Sequence, residues 1–279
     1  MTEGWLGGDT AQESNDLFAS AYDDFNFRYQ NTRWTGRLLQ HAEAAGLDGD
    51  HLLDVACGTG LSFIPMLRRG WAVTACDVSG EMLDIARSKV GDQVTLLRAD
   101  MRELPVIGAF DLVWALNDPL NYLLSRDEFD ATIIGMARNL KPGGILIFDV
   151  NTLATYRTFF ADEIRVEVRG RTLVWSGRGR PGVFTPGGFA EARFEAVGEP
   201  DSVHVHRQRH FPEGEVMDSL ASAGLNVAEV LGVSEPEGDL SAPLNEESHT
   251  KAVYVCRSQA ARRTRGQQAS GGRETAQVQ

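Results

Sequence analysis

The segment Asp54-Val55-Ala56-Cys57-Gly58-Thr59-Gly60 brings together residue types that do chemistry side by side. Small residues at 56, 58 and 60 let a ligand lie against backbone that larger side chains would cover. Asp77 ends the next apolar run, at the distance where an acid accepts the hydroxyls of a ribose. The spacing describes a site for a nucleoside-bearing ligand. A nicotinamide dinucleotide would require GxGxxG, and the third glycine is missing: counted from Gly58 the position holds Phe63, counted from Ala56 it holds Leu61. Asp54, ahead of the glycines, would repel a pyrophosphate and suits an ammonium group instead.

A second cluster lies in SVHVHRQRHF (202–211). Period two puts His204, His206, Gln208 and His210 on one face, with Val203, Val205, Arg207 and Arg209 on the other. A row of imidazoles offers a general base near neutral pH. The same row also fits a solvated face. No acid converges on it, so no metal site is expected. The Gly- and Arg-rich stretch 176–189 lacks an apolar pattern and reads as a mobile cover or a slack connector.

These residues need elements to hold them. HLLDVACGTG is a buried strand running into a tight turn, with a helix expected over 60–69. WAVTACD (71–77), VTLLRAD (94–100), FDLVWAL (110–116) and ILIFDV (145–150) are four more apolar strands. SGEMLDIARSK and residues 126–140 are helices between them, the first capped by Ser79 and the second stopped at Lys141-Pro142-Gly143-Gly144. Continuous apolar strands alternating with helices imply a parallel sheet covered on both faces. Two helices precede it, one carrying Phe18, Tyr22 and Phe25, the other Trp34, Leu38 and Leu39. From 163 to 211 the period changes to two, giving three or four antiparallel strands. A helix (212–225) and two strands, NVAEVLGVS and HTKAVYVC, complete the chain.

The expected division is a flexible N-terminus (1–12), a helical lid (13–48), an α/β core (49–151), an inserted β-subdomain (152–211), the rest of the core (212–256) and a disordered tail (257–279). The formal net charge is −12, and the tail after residue 256 carries +4, so the body carries −16. Such a body disfavours a phosphate backbone as partner, and a small cationic substrate suits it better. No run reaches the ~20 apolar residues of a membrane span. The acidic, polar N-terminus argues against a signal peptide. Three cysteines, at 57, 76 and 256, build neither a disulfide framework nor a zinc site by spacing. Cytoplasm is the expected compartment.

In their order, LLDVACGTG, the Asp77 strand end, ADMRELP (99–105), FDLVWALNDPLNYL (110–123) and LKPGGILIFDV (140–150) resemble the successive motifs of class I S-adenosylmethionine-dependent methyltransferases. The resemblance covers about residues 18–256. It implies a doubly wound, mostly parallel seven-stranded Rossmann-like sheet with S-adenosyl-L-methionine as cofactor. Ala56, Cys57, Gly58 and Gly60 then face its methionine and ribose portions. Asp54 organises the loop and reaches the methionine ammonium. Asp77 holds the ribose hydroxyls, and Val78 and Met82 pack on adenine. Asp100 and the Met101 backbone meet the adenine amino edge, and Leu116 touches the methionine end.

Asn117-Asp118-Pro119-Leu120 stands where nucleic-acid amino-methyltransferases carry Asn-Pro-Pro-aromatic. Here the first proline and the aromatic are missing, so a flipped base is not the expected acceptor. The helical lid and β-insertion resemble those of sugar N,N-dimethyltransferases, glycine N-methyltransferase and, above all, vancomycin-type glycopeptide N-methyltransferases. That likeness implies an N-methyltransferase in antibiotic biosynthesis, acting on the N-terminal amine of a heptapeptide. An amino sugar, an O-methyl acceptor and a non-catalytic cofactor-binding scaffold are the alternatives. It also allows a homodimer.

Tyr22, Asp118 and His210 are the expected catalytic residues, and Asn117, Asn121, His204 and His206 the expected substrate contacts. Tyr22 equally fits core packing, and Asp118 a turn cap.

Overall fold

The computed structural model describes residues 22–23, 31–199, 203–234 and 238–259. The expected flexible N-terminus (1–12), Phe18, Phe25 and almost all of the tail lie outside them. Within the rest, five strands run parallel: β1 (His51–Val55), β2 (Ala72–Asp77), β3 (Thr95–Arg98), β4 (Phe110–Ala115) and β5 (Leu140–Asn151). Antiparallel β12 (Lys251–Ser258), β10 (Leu225–Ser234) and β11 (Asp239–Ser241) extend the sheet beyond β5. The order is β11-β10-β12-β5-β4-β1-β2-β3. The chain reverses direction across the sheet between β1 and β4, the crevice where open α/β sheets bind ligands.

Alternate residues of each central strand feed two cores. Leu53, Val55, Val113 and Ala115 face a core with Phe129, Ile133 and Met136 of α4 (Arg126–Ala137) and Val216 and Leu220 of α6 (Glu213–Ser222). Leu52, Leu112 and Trp114 face the other, with Leu38 of α1 (Asn31–Ala44) and Leu83 and Ala86 of α3 (Gly80–Val90). This is the doubly wound arrangement expected from the continuous apolar runs. The caps also follow the sequence. Ser79 Oγ accepts the Met82 N–H at the start of α3. Ser125 and Glu128 form a capping box on α4, worth about 1 kcal/mol.

The main departures are local. The helix expected over 60–69 is only one turn, α2 (Ile64–Leu67). Gly58 and Gly60 are left-handed (φ 52° and 89°), and Pro65 allows a helix to begin no earlier than the residue or two before it. The Lys141–Gly144 stop belongs to β5 itself. The eighth strand, β11, has three residues and no alternating pattern to announce it.

A separate antiparallel sheet, β6-β7-β8-β9, is built from Glu163–Val168, Arg171–Gly177, Phe189–Ala196 and His204–Arg209. It is preceded by the short α5 (Leu153–Arg157). Its inner face packs Leu173, Trp175 and Phe194 with Tyr156, Phe160 and Met82. Met82 belongs to α3, so this face lies over the carboxyl ends of the parallel strands. Among the described residues no helix is long and apolar enough to cross a membrane.

Candidate active site

Four described non-glycine residues have left-handed backbone: Ala56, Asn117, Asp118 and Arg169. Arg169 sits in the β6–β7 hairpin. The other three ring one crevice, Ala56 after β1 and Asn117-Asp118 after β4. Each such residue costs about 1–3 kcal/mol, a strain that gathers where a site fixes the backbone.

The loop after β1 is tied from below and above. Asp77 Oδ2 accepts the Gly58 N–H at 2.8 Å, and its Oδ1 accepts the Ser79 N–H at 2.9 Å. Asp23 Oδ1 accepts from Thr59 Oγ1, and Asp23 Oδ2 meets Lys89 Nζ, both at 2.5 Å. Lys89 also donates to the Thr59 carbonyl at 2.9 Å. Tyr22 and Met82 border the loop: a Cβ on Gly58 would stand 3.9 Å from each. That leaves a ledge of bare backbone between an aromatic ring and a thioether.

Asp54 is fully buried under this loop. Ser62 Oγ donates to its Oδ2 at 2.5 Å. Oδ1 makes no normal hydrogen bond, although the Trp114 indole, its neighbour in register on β4, lies close. Burial pushes the carboxyl up to about 7, against the lowering effect of Ser62 and Trp114. A buried carboxylate oxygen short of a donor fits an ammonium ligand. With the bare ledge and Asp77, these residues fit S-adenosylmethionine.

The remaining expected cofactor residues come after the carboxyl ends of β1 to β4. Ala56 is half-buried, and Cys57 is buried with its thiol pushed well up by burial. A Cβ on Gly60 would strike the Phe63 ring at 2.6 Å. Val78 is half-buried, and its carbonyl accepts from Arg98 Nε. Leu116 buries its side chain in the core of α1 and α3. Asp100 caps the turn Met101–Glu103 and accepts from the Arg102 guanidinium, whose Nε reaches both of its oxygens and whose Nη2 reaches Oδ2. Burial would raise its carboxyl, but Arg102 wins and holds it below the usual carboxylate range.

The other wall of the crevice is made of side chains. The row His204, His206, Gln208 and His210 faces inward, each 3% exposed or less, while Val205 on the opposite face is 45% exposed. The solvated-face alternative is therefore overturned. His206 Nδ1 bonds Tyr122 Oη at 2.9 Å, and its ring lies 5.2 Å from that of Trp175. His206 is pushed down to about 4, chiefly by burial and then by His204. At neutral pH it is uncharged, and one hydrogen is shared between its ring nitrogen and the phenol. His204, also lowered by burial, stacks on Phe194. Tyr22 and Tyr122 are pushed above the ordinary phenol range, first by burial and then by Asp118.

Asp118 is not a simple turn cap. Its Oδ2 accepts from Gln208 Nε2 at 2.8 Å and its Oδ1 from Lys251 Nζ at 2.5 Å. Asn121 spends its amide on backbone, accepting the Asn151 N–H at 2.8 Å and donating to the Arg209 carbonyl at 2.9 Å. His210 Nδ1 accepts the Gly187 N–H, and its Nε2 meets Glu246, both at 3.2 Å. Both of its ring nitrogens are engaged, and they join the loop before β8 to the segment before β12. Residues 117, 118, 121, 206 and 210 thus share one wall with Tyr22, while Asp54, Asp77 and the glycines share the other. The sequence reading missed Tyr122, Asp149 and Lys251 here. The signals were present: an acid closing an apolar strand, and one of only three lysines opening another.

Comparison with known proteins identifies the same region. Residues 52–144 match the family model described as "Methyltransferase domain". YqeM of Bacillus subtilis strain 168, a methyltransferase by name, is 32% identical over 220 residues, 76% of this chain and 87% of YqeM. The cypemycin N-terminal methyltransferase of a Streptomyces species is 34% identical over 112 residues, 40% of this chain and 46% of that protein. A Streptomyces venezuelae dTDP-3-amino-3,4,6-trideoxy-alpha-D-glucopyranose N,N-dimethyltransferase is 30% identical over 102 residues, covering 37% and 43%.

Among solved structures, an S-adenosylmethionine-dependent methyltransferase from Clostridium acetobutylicum superposes with TM-score 0.70 at 21% identity, covering 87% of this chain and 98% of its own. An S-adenosylmethionine-bound amino pentose methyltransferase from Micromonospora echinaspora gives 0.63 at 23%, covering 86% and 96%. The glycopeptide N-methyltransferase MtfA with sinefungin gives 0.55 at 17%, covering 81% and 87%.

Proposed function

The chain belongs to the S-adenosylmethionine-dependent methyltransferases, and on that footing we propose that it methylates the amine of a natural product. The observation that carries the amine is the chemistry of the acceptor wall. Its imidazole in contact with Tyr122, His206, is held neutral with a value near 4, and its tyrosines are held protonated. A His206 imidazole at that value is too weak a base to strip a hydroxyl, and neither tyrosine is ionised to do so. A neutral amine brings its own lone pair and needs only to be oriented.

S-adenosylmethionine supplies a methyl group on a positively charged sulfur. The chain's task is to hold the partners and exclude water. Asp54, Ala56, Cys57, Gly58, Gly60 and Asp77 hold the methionine and ribose portions; Val78, Met82, Asp100 and Met101 hold adenine; the Leu116 backbone borders the methyl end. The Tyr122 oxygen, hydrogen-bonded to His206, keeps a lone pair that can accept from an amine N–H. Tyr22 closes the crevice from above, and Asn117 and Asp118 form its floor. His204 and His206 line the acceptor side with Trp175. Asn121 keeps this wall in place through the backbone, and His210 through the Gly187 N–H and the Glu246 carboxylate. Residues 13–48 act as a lid through the Tyr22-Asp23 contacts, and 152–211 cover the acceptor. The body's negative charge draws in the amine as a cation before it loses its proton.

Two acceptors are favoured by different observations. The motif order and β-insertion favour the N-terminal amine of a vancomycin-type heptapeptide, in an antibiotic pathway. The higher TM-score of the amino pentose enzyme, 0.63 against 0.55, favours an amino sugar. The test is mass spectrometry after incubation with S-adenosylmethionine and amino sugar nucleotides, heptapeptides and their hydroxyl analogues. We expect one added methylene mass, located by fragmentation on nitrogen. Transfer only to the hydroxyl analogues would sink the amine reading.

A further inference from the structure

Lys251 opens β12, a strand otherwise apolar through Cys256, and its side chain is 10% exposed. Because β12 runs antiparallel to β5, its first residue lies beside the last residue of β5, Asn151, at the crevice. Lys251 Nζ donates to Asp149 Oδ2 at 2.8 Å and to Asp118 Oδ1 at 2.5 Å. Asp149 is itself wholly buried. Its two oxygens accept the N–H groups of Asn117 (2.7 Å) and Asp118 (2.9 Å), the two left-handed residues in succession. The second oxygen of Asp118 accepts from Gln208 of β9, whose own carbonyl accepts from Asn151 Nδ2 at 2.9 Å. Three strands from two sheets therefore end on one two-residue turn.

Burying a cation between two carboxylates is a poor way to gain stability, since desolvation offsets most of the attraction. Geometry is what it delivers. One cation keeps two carboxylates facing each other; one of these grips both backbone N–H groups of the strained turn, and the other is part of that turn. We propose that Lys251 is a positioning residue for methyl transfer. It locks Asp149 and Asp118 so that the Asn117–Asp118 turn keeps its left-handed shape at the methyl end of the site, while Gln208 ties that turn to the inserted sheet. The proposal rests on the placement of this turn in the methyltransferase site and not on the choice of acceptor.

Hydrogen exchange on the full chain, read by mass spectrometry, needs no acceptor. In Lys251→Met the amides of Asn117 and Asp118 should exchange at least about tenfold faster, while β1 and β2 stay at wild-type rates. S-adenosylmethionine affinity by calorimetry should change by less than about threefold, and Lys251→Arg should restore the exchange rates. On whichever acceptor the wild type methylates, kcat should fall at least about thirtyfold in Lys251→Met with little change in KM. Unchanged exchange at 117–118, or acceleration spread evenly over the whole sheet, overturns the proposal. Should Lys251→Met not fold, Asp149→Asn carries the test: one carbonyl must then serve two N–H groups, and protection at 117–118 should fall while β12 stays protected. Protection retained there overturns the proposal too. An enzyme that methylates only hydroxyls would defeat the amine reading and leave the exchange result standing.

Discussion

The loop after β1 and the wall under the inserted sheet face each other across one crevice, and they are built in opposite ways. The loop is backbone. Its shape comes from left-handed Ala56, Gly58 and Gly60, and one acid from the next strand, Asp77, accepts two of the local N–H groups. The wall is side chain. Tyr122, Asp149, Gln208 and Lys251 come from four places far apart in sequence and meet only when two sheets are stacked. The charges differ as well. The loop buries an acid with one oxygen short of a donor, whereas the wall compensates its acids with an ammonium and leaves the His206 imidazole neutral. A backbone site of the first kind serves a ligand that never changes. A wall of side chains can be re-lined for each acceptor while the loop stays the same.

The largest effect that would separate the two halves is Asp77→Ala. It removes two charge-assisted ribose bonds in the proposed complex and frees the Gly58 and Ser79 N–H groups. At about 1.5 kcal/mol per bond, S-adenosylmethionine affinity should drop roughly a hundredfold. Calorimetry checks this; affinity within a few-fold of wild type would remove Asp77 from the ribose. The matching change on the wall is Tyr122→Phe. It should lower kcat roughly tenfold to thirtyfold, the loss of one or two oriented bonds, with cofactor affinity unchanged. If Tyr122→Phe instead weakened the cofactor and spared turnover, the division into two halves would fail.

That division also explains which half the sequence disclosed. The spacing of Asp54, Gly58, Gly60 and Asp77 is local, because a tight turn and the following strand end need no distant partner. The parallel strands were legible because burial on both faces leaves unbroken apolar runs. The period-two stretch announced the second sheet, and alternation put His204, His206, Gln208 and His210 on one face. Alternation cannot say whether that face meets water or a neighbour, since both give the same pattern. Only the stacking of the sheet on Met82 and Tyr156 decides it. For the same reason the sequence leaves Asp118 open between a catalytic residue and a turn cap: its partners Gln208 and Lys251 lie 90 and 133 residues away. The helix expected over 60–69 failed because the apolar spacing was right but the glycines and Pro65 left room for one turn.

A smaller effect tests the loop through pH. The folded Asp54 carboxyl keeps its proton up to about pH 7, while an unfolded one loses it near 4. Between those values the folded state binds more protons, so Asp54 makes the ligand-free protein less stable as pH rises from about 4 to 7, and adds no further slope above. The ligand's ammonium prefers the ionised form. Affinity for S-adenosylmethionine should therefore climb toward pH 7, by at most about tenfold per unit, and fall again as the ligand's α-amino group deprotonates near 7.7–8.0. Asp54→Asn should flatten both the stability slope and the acid limb of binding. Calorimetry in two buffers of different ionisation enthalpy measures the proton released; zero release at pH 6 would detach Asp54 from the ammonium.

The smallest effect refines that one. Ser62 is buried and donates to Asp54 Oδ2 at 2.5 Å, which lowers the carboxyl against the push of burial. Ser62→Ala removes the donor and leaves the acid with Trp114 alone nearby. The carboxyl should then hold its proton to a higher pH, and the acid limb of binding should move upward by less than about one unit. One lost hydrogen bond of about 1 kcal/mol makes the binding loss at pH 7 only about fivefold, and most of it should disappear by pH 8.5, where Asp54 is ionised in either protein. Turnover at saturating cofactor and acceptor should stay at the wild-type value, because Ser62 touches the loop half alone. A fall in kcat at saturation would mean that the loop and the wall are coupled through the floor of the crevice.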